Sequence, residues 1–322
     1  MVISERFMHN LYVKGTGREF REAKTEADVE IFFQGLGYQN IPKEVVTRLS
    51  YLSLATEHRN SHFQDALDIS EIIDDLVPEE LSTTEVNELR AASLVHDVGK
   101  AGPAEATPEE QLAIVSLFNL DFPYGQVVDG KKINEVSLRR ALALKVEEGE
   151  ITQTRAAELL QLVIAAAQRQ ENLRPETQIT AETTMGKFWS AHVYWSYDVL
   201  RKTNLSGSLI ETAVSHHLLE GHDPAGVGVS QAKSGMVSLE LADKYQAYRI
   251  RLMLADKYQA FLQRSGRTHE ETIKIMRTRV ADFFKDCPSE QVRVRDLYLS
   301  ILDEIDKKKA VFARELDLEQ EK

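Results

Sequence analysis

Apolar positions along this chain recur mostly at intervals of three and four residues, and the elements this spacing predicts are helices. The period starts near Ile41-Pro42 and runs through Val45, Leu49 and Leu52. Ser82-Thr83-Thr84-Glu85 has capping chemistry and opens a helix that carries Val86, Leu89, Leu94 and Val95 towards His96, with Gly99 as its expected stop. Thr107-Pro108-Glu109-Glu110 is a second start: a capping threonine, proline at the first position and carboxylates in the first turn. Helices are expected over roughly 134–148 and 152–171, the latter with Ala156, Leu159, Leu160, Val163 and Ile164 on one face. After a polar linker they resume over Gly186–Lys202 and Leu209–Leu219, and a glycine-rich loop spans 220–235. One long helix follows from about Ser238 to Arg264, and a charged amphipathic helix, expected to be a surface or coiled contact, spans Ser289–Lys322.

Two stretches break the helical period. Val127 to Ile133 reads as a tight hairpin around Asp129-Gly130. The first forty residues carry Gly15, Gly17, Gly35 and Gly37, and admit short extended pieces such as Asn10 to Val13. The expected fold class is therefore all-α, with a small irregular N-terminal segment over 1–45 and a charged C-terminal helix over 289–322.

At 322 residues there is material for one large domain or two modest ones. The net charge is −12, from 39 basic and 51 acidic residues, which argues against nucleic-acid binding and against an anionic membrane surface. A small anionic substrate remains open, because bound cations can dominate a local field. The single cysteine, Cys287, excludes an internal disulfide and a cysteine-based zinc site, and points to a reducing, cytoplasmic setting. Met1 to Phe20 shows no signal-peptide pattern, and no window approaches the ~20 apolar residues of a membrane span.

Candidate chemistry lies in the nine histidines. His58 and His62 are four apart and share a helix face. His96-Asp97 offers an imidazole and a carboxylate from adjacent positions, within Val95-His96-Asp97-Val98-Gly99-Lys100. His192 lies within a helix, and His216-His217 is expected to close the next one. The heptad Leu-Ala-Asp-Lys-Tyr-Gln-Ala occurs twice in the late helix, placing Asp243 and Asp256 on different faces, so that only one of them is expected at a shared site. Histidines and aspartates delivered by separate helices to a bundle interior suit a two-metal hydrolytic centre. His9, His222 and His269 read as ordinary structural or surface residues.

This ordered set resembles the HD superfamily of metal-dependent phosphohydrolases, and more narrowly the HD-GYP phosphodiesterases of cyclic dinucleotides, over about residues 50–285. The resemblance implies an HD-type helical bundle over 46–288 with an insertion at about 104–182. It implies His58, His62, His96, Asp97, His192, His216, His217 and Asp256 as metal ligands. Two divalent ions are implied, three if His58 contributes, with iron or manganese favoured. Asp97 and Lys100 take the catalytic positions, and Lys100, Arg264 and Arg267 are the implied contacts to a small anionic nucleotide substrate. The implied enzyme is a phosphodiesterase acting through a metal-activated hydroxide, on cyclic di-GMP or a related dinucleotide.

The chain departs from the family pattern in three places. Leu218 to Val227 retains Pro224 and Gly226, but His222-Asp223 stands where the family has Gly-Tyr. The insertion is several times longer than the family's connection there, and could form a lid, a homodimer surface or a sensor. His58 replaces the carboxylate that some members use for a third metal. Another phosphoester substrate, oxygenase chemistry and a catalytically weak signalling protein are the alternatives left open.

Overall fold

A computed structural model describes residues 25–38, 41–53, 62–76, 81–123, 125–171, 173–226, 239–265, 267–285 and 292–320. Its described residues are built from twelve α-helices and one two-stranded sheet, an all-α fold. No described helix is long and apolar enough to cross a membrane. The chain divides into two units, one comprising Glu19–Gln64 with Val95–Leu205, the other Met1–Arg18, Asp65–Leu94 and Ser206–Lys322.

In the unit containing Val95–Leu205, helix α1 (Glu26–Gly35) starts on a Thr25–Asp28 capping box and packs on α2 (Lys43–Leu52). A 3-10 turn, Val98–Ala101, precedes α5 (Pro108–Phe118), whose Thr107–Glu110 capping box forms as the sequence predicts. The hairpin forms too: β1 (Val127–Val128) pairs antiparallel with β2 (Lys131–Lys132). Asp129 and Gly130 hold φ values of 50° and 78°, the left-handed pair a two-residue hairpin requires. Helices α6 (Leu138–Glu147) and α7 (Gln153–Gln168) follow, then α8 (Met185–Leu200). The starts of α6 and α8 are laced together, Leu138 donating to the Thr183 carbonyl and Met185 to that of Val136, each at 2.8 Å.

The core of this unit draws Ile114, Leu117, Leu142 and Val163 together with Phe188 and Trp195 of α8. Residues of the segment 104–182 thus form one continuous core with the helix that carries His192. The buried Trp195 ring donates its N–H to Gln170 Oε1 at 3.2 Å, which fixes α8 against the chain leaving α7.

The other unit holds most of α3 (His62–Leu76), α4 (Thr83–Val95) up to Leu94, α9 (Gly207–Val214), α10 (Leu239–Ser265), α11 (His269–Phe283) and α12 (Val292–Gln320). The expected capping at Ser82 is present, its hydroxyl donating to Glu85 at 2.8 Å. Helix α10 packs on α9, α11 and α12. Arg251 of α10 donates to the last carbonyl of α3, Leu76, at 2.9 Å. The C-terminal helix is an integral wall: Val294, Tyr298, Ile301, Leu302 and Ile305 form a buried stripe at helical spacing.

A side-chain chain ties α10, α11 and α12 together. Tyr258 Oη lies 2.8 Å from His269 Nδ1, and His269 Nε2 lies 3.0 Å from Asp306 Oδ1. A carboxylate only accepts, so Nε2–H donates to Asp306 and Nδ1 accepts the phenol proton. His269 is thus a structural histidine. Burial pushes the Asp306 carboxyl up, but hydrogen bonds from His269 and Arg277 outweigh it and hold Asp306 below the usual carboxylate range. A carboxyl with a lowered folded pKa stabilises the fold above its unfolded value near ~3.9 and loses that contribution as pH falls. Asp306 is 40% exposed, so solvent screening keeps the contribution to about 1 kcal/mol or less. Asp306→Asn is expected to lower the urea midpoint at pH 7, by a margin that narrows as pH falls through the lowered folded pKa of Asp306. An unchanged gap between the two proteins at pH 3 would remove the ionic account.

Candidate metal centre

The buried turn His96–Lys100 follows α4, which ends at Val95. Gly99, expected as the helix stop, has a different task. A β-carbon there would sit 2.1 Å from the His192 carbonyl oxygen and 2.3 Å from the Ser196 amide nitrogen, so only glycine lets the turn lie against α8. Ser196 then clamps the turn twice. Its hydroxyl donates to the His96 carbonyl at 2.8 Å and accepts from the Gly99 amide at 2.9 Å. One helical turn earlier on α8 stands His192, so the clamp fixes His192 relative to Asp97.

Asp97 is the centre of the resulting group. Its Oδ1 lies 3.0 Å from His192 Nε2, and its Oδ2 lies 3.3 Å from His96 Nε2 and accepts from Lys100 Nζ. All four side chains are buried. The Phe118 ring meets the His192 ring edge to face, with centroids 5.9 Å apart.

His192 Nδ1 is engaged with the Trp189 carbonyl. A carbonyl only accepts, so Nδ1 carries the proton, and in the neutral ring Nε2 presents a lone pair to a carboxylate oxygen. A lone pair facing a carboxylate oxygen at this distance is satisfied by a cation between them, either a second ring proton that makes an imidazolium or a metal ion. Two ligands bound at right angles about 2.1 Å from one cation stand about 3 Å apart. The donor set therefore fits a metal ion, and its nitrogen-and-carboxylate composition suits a borderline transition metal.

The other unit carries a second set. His216, buried, repeats the orientation of His192: its Nδ1 lies 2.8 Å from the Ala213 carbonyl. His216 and His217 do not close a helix as expected. Helix α9 stops at Val214, and the pair sits in the following turn, before a 3-10 turn at Leu218–Glu220. Their rings meet edge to face, with centroids 4.5 Å apart. Asp256 of α10 is buried, 3.2 Å from Lys257 Nζ, which also lies 3.3 Å from Glu220 Oε1 and 3.4 Å from His217 Nδ1. Lys257 thus supplies a cation among His217, Glu220 and Asp256. Next to Asp256 along α10, Gln259 donates to Asp65 of α3 at 3.0 Å.

Among the described residues the chain thus holds histidine and aspartate groups that could hold a metal ion. His58 lies outside the described residues, as do the side chains of His62, Arg264 and Asp243. Arg267 stacks on Phe261, its guanidinium carbon 5.2 Å from the ring centroid, and lines a shallow groove with Glu271 and Lys274. Sequence reasoning missed Ser196, Glu220 and Lys257. Only Lys257 left a signal, as the residue adjoining Asp256 in the repeated heptad.

No protein-family model, curated protein or solved structure matches this chain.

Proposed function

We propose that this protein is a metal-dependent phosphohydrolase, with a cyclic dinucleotide such as cyclic di-GMP as its first candidate substrate. The observation that carries the reading is the facing of His192 Nε2 and Asp97 Oδ1 while His192 Nδ1 is committed to a backbone carbonyl. His96, Asp97 and His192 would hold the metal from one unit. The sequence resemblance assigns His62, His216, His217 and Asp256 as the remaining ligands. When bound, divalent cations acidify water to a nucleophile at neutral pH and offset charge on a phosphoryl group.

The protein's own groups complete the chemistry. Asp97 would hold the metal together with both imidazoles, and it balances the Lys100 ammonium. Lys100 places a buried positive charge beside the ligand set, where it offsets charge that grows on equatorial phosphoryl oxygens. The carbonyls of Trp189 and Ala213 engage Nδ1 of His192 and His216, so that Nε2 would be the ligating nitrogen of each ring.

The test is elemental analysis of anaerobically purified protein, coupled to hydrolysis of cyclic di-GMP and of a panel of nucleotide mono- and diesters. At least one transition metal per chain is expected, with chelator-sensitive release of a linear dinucleotide or nucleotide. Metal-loaded protein that hydrolyses nothing on the panel would overturn the proposal. Consumption of dioxygen by that same preparation would point to oxygenase chemistry instead.

A further inference from the structure

The turn bearing His96, Asp97 and Lys100 is gripped a second time, at its far end, by a residue distant in sequence. Arg48 of α2 has no solvent exposure. Its Nη1 donates to the carbonyls of Ala101 and Gly102 at 3.2 and 2.7 Å. Its Nη2 donates to those of Pro103 and Ala104 at 2.7 and 3.2 Å, and its Nε donates to Glu44 at 3.2 Å. All five N–H groups of the guanidinium are therefore used, four of them on consecutive carbonyls that begin immediately after Lys100. Turning four successive carbonyls onto one cation determines the path of the loop. Gly102 accommodates that path with a φ of 89°.

A buried charge that only filled space would be costly, and an apolar side chain would pack there at lower cost. A planar fork with five donors can fix four carbonyls together, which a lysine ammonium with three donors cannot. We propose that Arg48 is a positioning residue: it sets the orientation of Asp97 and Lys100, and through them the affinity of the site for its metal. The proposal rests on the metal-dependent reading above. It makes helix α2 part of the machinery of the site, although α2 carries none of the candidate ligands.

The test is titration of the full chain with cobalt(II), following the visible absorption of the bound ion, in wild type, Arg48→Lys and Arg48→Ala. Partners that orient metal ligands contribute about 10–100-fold to affinity. Arg48→Lys is expected to keep the helical circular dichroism of wild type, to bind cobalt(II) about 10–100-fold more weakly and to shift the absorption band. Millimolar guanidinium chloride is expected to restore part of the affinity of Arg48→Ala, whereas potassium chloride is not. Wild-type affinity and spectrum in Arg48→Lys would overturn the proposal. So would an Arg48→Lys that fails to fold, since Arg48 would then be scaffold alone. Wild-type protein that takes up no cobalt would defeat the metal reading itself, and this inference with it; uptake with no difference between wild type and Arg48→Lys defeats only the role of Arg48.

Discussion

Asp97→Asn is expected to leave the protein folded and to strip it of metal. Oδ1 of Asp97 faces a lone pair of His192, and Oδ2 accepts from Lys100. An asparagine with its amide nitrogen at the first position donates to His192 Nε2, and its oxygen still accepts from Lys100. Lys100 loses its counter-charge, however, so the metal-free protein is expected to melt earlier than wild type while keeping its fold. Metal affinity and phosphoester hydrolysis should fall by more than about 100-fold, since even outer partners of a metal ligand contribute 10–100-fold. A merely structural imidazolium–carboxylate pair predicts no bound metal in either protein. Removing one charge of a buried pair costs about 3–5 kcal/mol, and this loss is shared by both readings. Metal content and cobalt(II) uptake of wild type and variant separate the two readings, while calorimetry of the metal-free proteins reports the shared loss of stability.

Gly99→Ala carries the second large effect. The added methyl would meet backbone atoms of α8 at 2.1 and 2.3 Å, and the backbone of a buried helix cannot swing aside as a side-chain end can. The turn must lift from α8, which breaks both hydrogen bonds to Ser196 and separates Asp97 from His192. The expected cost is about 3 kcal/mol or more, at the upper end of overpacking effects, together with loss of metal binding. Urea unfolding reads the first and cobalt(II) titration the second. A variant within about 1 kcal/mol of wild type would show that the turn does not pack on α8 as described.

What the sequence made legible was local. The Thr107 and Ser82 caps, the Asp129-Gly130 hairpin and the long helix before Ser265 follow from residues within a few positions of one another. Gly99 shows where such reading stops. As a glycine after a helical run it reads as a terminator, yet its requirement comes from the backbone of a helix nearly a hundred residues later. The same holds for Ser196, an unremarkable serine in an amphipathic helix until its contacts with His96 and Gly99 are known. His216 and His217 fell just beyond their helix because no cap in the sequence marked its end at Val214. The candidate ligands were implied by the family resemblance of the ordered histidine and aspartate set, but the groups that orient them are set by long-range packing.

The shared core of α8 and the 104–182 segment bears on any attempt to trim the protein. Joining residue 103 directly to residue 183 would remove Ile114, Leu117, Leu142 and Val163, which cover Phe188 and Trp195. It would also remove Gln170, the partner of the Trp195 ring, and Phe118, whose ring rests on His192. A truncation made to isolate a minimal bundle would instead open the flank of the helix that carries His192. Fragments of this chain are better designed to retain that segment whole.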